Sequence, residues 1–272
     1  MTVTITSTDG VHVALHDLGG DGLPLLFVHA TGFHGNCYRQ IARRLHDVRH
    51  CWAPDLRGHG DTNVPNDDRF DWAGMAEDLC AVLDQMGLDE PIDFVGHSMG
   101  GATILAAELM RPGSIRAAWL FEPIVFPDAP VAADSTLAAG ARRRRAIFPD
   151  QEAAIERYRS RPPFDAIDPE VLNDYVRYGF GPHPDGVILK CLPNSEAATF
   201  ENTDRTLYPR VQAVNATVTV IGSTDGGPPA RFAAGVADAV PGARLVVWEG
   251  ETHFGPFTNP ERAATEIRSL IL

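Results

Sequence analysis

The stretch PIDFVGHSMGGATILAAEL, residues 91–109, limits what this chain can fold into more than any other. Ile92 to Val95 is short, apolar and β-prone, and Ala102 to Ala107 suits a helix. Only Gly96-His97-Ser98-Met99-Gly100 and one further glycine separate them, so a strand must pass into a helix almost at once. Such a turn strains the backbone at its apex and brings strand and helix together, which Gly96, Gly100 and Gly101 permit by lacking a Cβ. The Met99 amide then stands at a helix N-terminus, where N–H groups have no intrahelical acceptor and can hold a developing oxyanion. Ser98, at the apex, is a candidate nucleophile.

One such unit needs neighbours to bury its faces. Short apolar runs followed by a loop and a helical pattern occur at 24–29, 51–54, 92–95 and 117–121, and strand-like runs return at 217–221 and 244–248. This alternation predicts βαβ units and a parallel sheet. Before them, Thr2 to Thr6 and Val11 to His16 alternate around Thr8-Asp9-Gly10, which predicts an antiparallel hairpin. Met75, Leu79, Val82, Leu83 and Met86 recur at three- and four-residue steps, predicting a helix over 72–86 that Gly87 ends. A last helix runs from about Pro260 to Leu272. Between 128 and 214 the strand pattern stops and helical stretches broken by Arg, Tyr and Pro take over. The expected organisation is a core of 1–127 and 215–272 with an inserted helical lid over 128–214.

Composition excludes several classes. With 272 residues and 44% hydrophobic content the chain can bury the core of a large α/β domain. Its 36 acidic against 23 basic residues give a charge of −13, which repels phosphate backbones and anionic lipid, so neither nucleic acid nor membrane is an expected partner. The start MTVTITSTDG has no basic-then-apolar leader pattern, and no apolar run reaches the length needed to span a bilayer, so the expectation is a cytoplasmic protein. Cys37, Cys51, Cys80 and Cys191 are widely spaced without a C-x-x-C pair and read as free thiols, with no metal or redox site.

The Gly-x-Ser-x-Gly turn between strand and helix resembles the nucleophile elbow of the α/β-hydrolase superfamily, and the resemblance runs from the first hairpin to the C-terminus. LLFVHATGFHG, residues 25–35, is similar to the family's oxyanion loop, with Ala30 where a glycine is usual; the resemblance makes the Thr31 N–H the second oxyanion donor beside that of Met99. DLRGHGDT, residues 55–62, is similar to a structural turn of the family. WEGETHFGPFTNP, residues 248–260, puts His253 where the family carries its catalytic base. The resemblance implies a mostly parallel eight-stranded sheet with helices on both faces and an inserted helical lid. A serine needs such an imidazole to become nucleophilic, and with two amide donors the set performs acyl transfer without a metal or organic cofactor. The activity expected is hydrolysis of a small-molecule ester or lactone through an acyl-enzyme. The alternatives are a cofactor-free perhydrolase, a C–C hydrolase or a thioesterase on the same scaffold, and, from a different class, a non-catalytic small-molecule receptor.

Two carboxylates compete to orient His253. Asp225 lies in VIGSTDGGPP after the penultimate strand, where the commonest superfamily pattern has its acid. Glu122 lies in AAWLFEPIVFP after the strand that follows the elbow helix, a position that some members use. Its apolar surroundings predict burial, and a buried carboxylate needs a partner such as an imidazolium, which favours Glu122. His29, His34, His59 and His97 read as structural, with His34 placed to approach substrate. In the lid Phe148, Tyr158, Phe164, Tyr175, Tyr178 and Phe180 are aromatic candidates, Tyr158, Tyr175 and Tyr178 among them for substrate binding. ARRRRAI, residues 141–147, places four arginines around a helix, which reads as a solvated face, or as one of Arg142 to Arg145 pairing with a substrate carboxylate.

Overall fold

A computed structural model describes residues 1–88, 90–127 and 135–272. Strands β1 (Thr2–Thr6) and β2 (His12–Gly19) form the antiparallel hairpin, pairing Thr2 with His16 and Thr6 with His12. Then come β3 (Leu23–Val28), β4 (Arg49–Pro54), β5 (Ile92–His97) and β6 (Ile115–Phe121). The inserted segment contains β7 (Ile147–Phe148), β8 (Phe180–His183) and β9 (Gly186–Leu189), and the main sheet is completed by β10 (Thr217–Ser223) and β11 (Arg244–Trp248). The eight-stranded sheet has the order β1-β2-β4-β3-β5-β6-β10-β11 and is parallel from β4 to β11. This is the α/β-hydrolase fold expected from the sequence.

Strand alternation explains why both faces are covered. In β3, Leu25 and Phe27 enter one apolar cluster while Leu26 and Val28 enter the other, and β6 divides likewise between Trp119 with Phe121 and Ala118 with Leu120. One face packs under the helices Trp72–Met86 and Met99–Met110, the other under Pro260–Ile271 and part of the insertion. The helix Trp72–Met86 starts where the Asp71 side chain accepts from the Gly74 N–H and ends at Gly87, whose φ of 60° is the left-handed conformation of a helix stop.

The inserted segment is largely helical and also carries a small sheet. Within 135–214 the helices Ser135–Arg142, Gln151–Arg159, Pro169–Gly179 and Pro193–Glu201 stand beside an antiparallel sheet of order β7-β9-β8. Its strands are two to four residues long, and β8 and β9 carry glycine or proline, too little for a period-two pattern to show. The first part of the expected lid, 128–134, lies outside the described residues. The arginine run is corrected: the helix stops at Arg142, so Arg143, Arg144 and Arg145 lie in the turn beyond it.

Candidate active site

The glycines of the elbow are fixed by contact. A Cβ on Gly100 would stand 2.0 Å from the Val28 carbonyl oxygen, and one on Gly96 would stand 2.7 Å from the Cα of Gly101. Between them Ser98 takes φ 55°, ψ −117°, held by its N–H donating to the Phe121 carbonyl at 2.9 Å and its own carbonyl accepting from Ile124 at 3.2 Å. Among the described residues four non-glycine residues have positive φ, and two of them are Ser98 and Glu122 (φ 42°). Strain of this kind costs about 1–3 kcal/mol per residue and persists only where neighbours impose it, so its concentration here marks a site.

Glu122 follows β6, between the elbow strand β5 and β10. Its N–H donates to the Ile221 carbonyl at 2.8 Å, and its carboxylate is fully buried. Oε1 accepts from the Ser223 N–H at 2.9 Å and the Ser223 hydroxyl at 2.5 Å, while Oε2 lies 2.5 Å from His253 Nδ1. A Cβ on Gly226 would meet Glu122 Oε1 at 2.4 Å, so that glycine leaves room for the carboxylate. Asp225, the competing acid, is exposed, and its N–H donates to the Glu251 carbonyl at 2.9 Å. The end of β10 thus supplies donors to Glu122 through Ser223. Removing the hydroxyl in Ser223→Ala leaves buried Glu122 one hydrogen bond short, and is expected to lower kcat by about tenfold, on the ~1–3 kcal/mol scale of such a loss. Wild-type kcat in that variant would contradict it.

His253 lies on the loop after β11 and is partly exposed. His97 Nε2 donates to its carbonyl at 2.8 Å and the two rings are 4.9 Å apart, so the residue before the serine pins the histidine loop. Ser98, His253, Thr31 and His97 share one cavity of about 460 Å³. Thr31 lies beside the elbow: its hydroxyl donates to the Met99 sulfur at 3.3 Å. Ala30 has no positive φ, so its Cβ adds no left-handed strain to this loop, and Gly32 takes φ 79°. Met99 begins its helix, so its N–H has no helical acceptor.

His29, His34, His59, His97 and His16 are buried. His29 donates from Nδ1 to the Ala30 carbonyl and accepts at Nε2 from the Leu56 N–H, joining the loops after β3 and β4. Burial, then the nearby His59, pushes His29 down to about 3, and burial pushes His59 down to about 4. Burial likewise lowers His34 and His97. His16 goes the other way: burial opposes its charge, but the hydrogen bond and charge of Asp55 raise it. The sign follows. Above the ordinary value of 6.5 the depressed rings are neutral folded or unfolded; below it the unfolded chain binds protons that the folded one does not, so stability is lost as pH falls from 6.5 toward 3–4. The His16 contribution is instead full below 6.5 and fades as pH rises through its raised value. Four rings outweigh one, each costing about 1.4 kcal/mol per pH unit. The melting temperature is therefore expected to fall on going from neutral pH to about pH 5; a flat profile would contradict this.

Four residues expected to contact substrate do not line this cavity. His34 is buried, donates from Nε2 to the Tyr175 carbonyl at 3.0 Å, and does not line the cavity. Tyr175 is buried behind the wall, where its hydroxyl accepts from Arg144 at 2.6 Å. Tyr178 sits between the guanidinium groups of Arg39 and Arg177, away from the cavity. Tyr158 faces a neighbouring groove, and of the lid aromatics singled out in the sequence Phe164 reaches the cavity. The lining that sequence reasoning missed includes Trp72, Ile124, Phe126, Phe200 and Phe232, which have no shared periodicity, and the ion pair of Arg144 with Glu196.

The structural role of the turn 55–62 is visible. Asp55 accepts from Gly35 and Asp61 N–H groups and pairs with His16, and Arg57 makes two bonds of 2.8 Å to Asp78. His16, Asp55 and Asp61 place ligand-type atoms within 4.8 Å, but the Lys190 ammonium already stands 2.5 Å from Asp61 and the Asp55 oxygens are taken. No helix among the described residues is long and apolar enough to cross a membrane.

A strand-elbow-helix serine, a buried carboxylate on a histidine and two amide-bearing loops around one cavity define a hydrolase-like site. Residues 25–266 match the Alpha/beta hydrolase family, and the chain belongs to it. It is 33% identical over 110 residues to a 2-hydroxy-6-oxo-2,4-heptadienoate hydrolase of Pseudomonas putida, an alignment covering 39% of each chain. It is 34% identical over 110 residues to Lipase LipV of Mycobacterium tuberculosis, covering 38% of each. The chain thus spans under two-fifths of these curated relatives. The fold of an E-2-(acetamidomethylene)succinate hydrolase superposes with a TM-score of 0.84 at 20% identity, covering 100% of this chain and 99% of that one.

Proposed function

We propose that this chain is a serine hydrolase of small esters or lactones in which Ser98 is the nucleophile, His253 the base and Glu122 the orienting acid. The observation that carries the reading is the 2.5 Å contact of His253 Nδ1 with a fully buried Glu122, on the cavity that Ser98 also lines. With Nδ1–H donating to Glu122, Nε2 is left as acceptor and takes the Ser98 proton as the hydroxyl attacks a carbonyl. The N–H groups of Thr31 and Met99 hold the oxyanion; the leaving group takes the proton from His253, and water then releases the acyl group from Ser98 by the same path. Trp72, Ile124, Phe126, Phe200, Phe232 and Phe254 give the cavity a mainly apolar wall, suited to an uncharged acyl chain.

The likeness to a 2-hydroxy-6-oxo-2,4-heptadienoate hydrolase supports a second reading, the same serine and base acting on an oxo-dienoate. Turnover of a panel containing p-nitrophenyl esters, lactones, acyl thioesters and an oxo-dienoate separates the two. Turnover of an ester, lactone or thioester with a higher kcat/KM than the oxo-dienoate is expected; turnover of the oxo-dienoate alone would favour the second reading, and binding without turnover would favour a receptor.

A further inference from the structure

Beside the active-site cavity lies a second depression of about 300 Å³, and the two share Arg144, Pro163 and Phe164 in their walls. Five arginines line it: Arg143, Arg144 and Arg145 from the turn after the helix Ser135–Arg142, and Arg157 and Arg161 from the helix Gln151–Arg159 and the turn after it. No acidic residue lines it. Arg144 is paired with Glu196, but Arg143, Arg145, Arg157 and Arg161 have no carboxylate within ion-pair distance among the described residues. Arg145 donates to the Ile147 carbonyl at 2.7 Å and lies 4.6 Å over the Phe148 ring. In a chain of charge −13, with acidic partners abundant, four arginines around one depression without a carboxylate partner are out of keeping with their surroundings.

We propose that this groove is a phosphate subsite, which binds the phosphorylated end of a substrate whose ester or thioester carbonyl reaches Ser98. Guanidinium groups match carboxylate and phosphate alike, but one carboxylate carries a single charge and engages one fork. Four unpaired forks call for several charges and more oxygens, as in a pyrophosphate or clustered phosphate monoesters. The two spaces adjoin at Arg144, Pro163 and Phe164, and the bound molecule would lie across that border, its apolar acyl part in the cavity and its phosphates in the groove. An acyl thioester of a nucleotide-bearing thiol, such as an acyl-CoA, has this make-up. The proposal rests on the serine-hydrolase reading for the site of cleavage, but not for binding.

The test uses the whole chain in low-salt buffer, where such contacts are least screened. Inorganic pyrophosphate is titrated calorimetrically into wild type, Ser98→Ala and the double variant Arg157→Glu/Arg161→Glu, with citrate as the polycarboxylate probe and a thermal melt to check folding. In parallel, kcat/KM is measured for an acyl-CoA and for the N-acetylcysteamine thioester of the same acyl group, which lacks the phosphates. Expected are equal pyrophosphate binding by wild type and Ser98→Ala, at least about tenfold weaker binding by the double variant, and a similar fall in its CoA to N-acetylcysteamine ratio. Pyrophosphate that does not bind, or binds the folded double variant equally, would overturn the subsite, and tighter binding of citrate would overturn its assignment to phosphate. Binding that depends on the arginines without any change in the ratio would overturn the substrate role. If pyrophosphate binds as expected while no ester or thioester is turned over, the serine-hydrolase reading fails and the anion subsite stands.

Discussion

Glu122→Gln is expected to lower kcat on an activated ester about 10⁴-fold at neutral pH, while Asp225→Asn stays close to wild type. Ser223 presents two donors, its N–H and its hydroxyl, to one oxygen of Glu122, so a glutamine would keep its carbonyl there and turn its NH₂ toward His253. That NH₂ would require Nδ1 to be an acceptor, moving the ring proton to Nε2, where it cannot take a proton from Ser98. Among the described residues Asp225 is exposed and makes no hydrogen bond or ion pair with His253, so its amide analogue leaves the base in place. Collapse in Asp225→Asn with near-normal Glu122→Gln would reverse the assignment.

The second large effect is Ser98→Ala, for which kcat is expected to fall about 10⁶-fold with the fold preserved. The hydroxyl lines the cavity, and the strained backbone at this position is held by main-chain bonds to Phe121 and Ile124 that alanine retains. Stability, read from a thermal melt, should stay near wild type. Residual turnover near the wild-type rate would move the nucleophile elsewhere.

The legible parts of the fold were those where one physical cause dominates. β5 and the helix after the elbow were visible because an apolar run and a helical run meet across glycines whose Cβ atoms would strike Val28 and Gly101. The hairpin and the helix Trp72–Met86 carried clean periods and a left-handed stop at Gly87. The insertion was less legible because β7, β8 and β9 are too short for alternation and their pairing is set by packing on the core. Tyr175 and Tyr178 illustrate the same limit at the site: they lie three residues apart on one helix, yet one is buried on Arg144 and the other is half-buried against Arg39 and Arg177. For the acid, the apolar neighbours of Glu122 signalled burial, but nothing in the sequence announced Ser223 as its second partner, a contact across 101 positions.

The most direct measurement is intact-mass and peptide analysis after treatment with a fluorophosphonate, which reacts with a serine activated by a general base. One adduct on Ser98, lost in Ser98→Ala together with ester turnover, is the predicted result. An adduct on another residue, with full activity retained in Ser98→Ala, would contradict it.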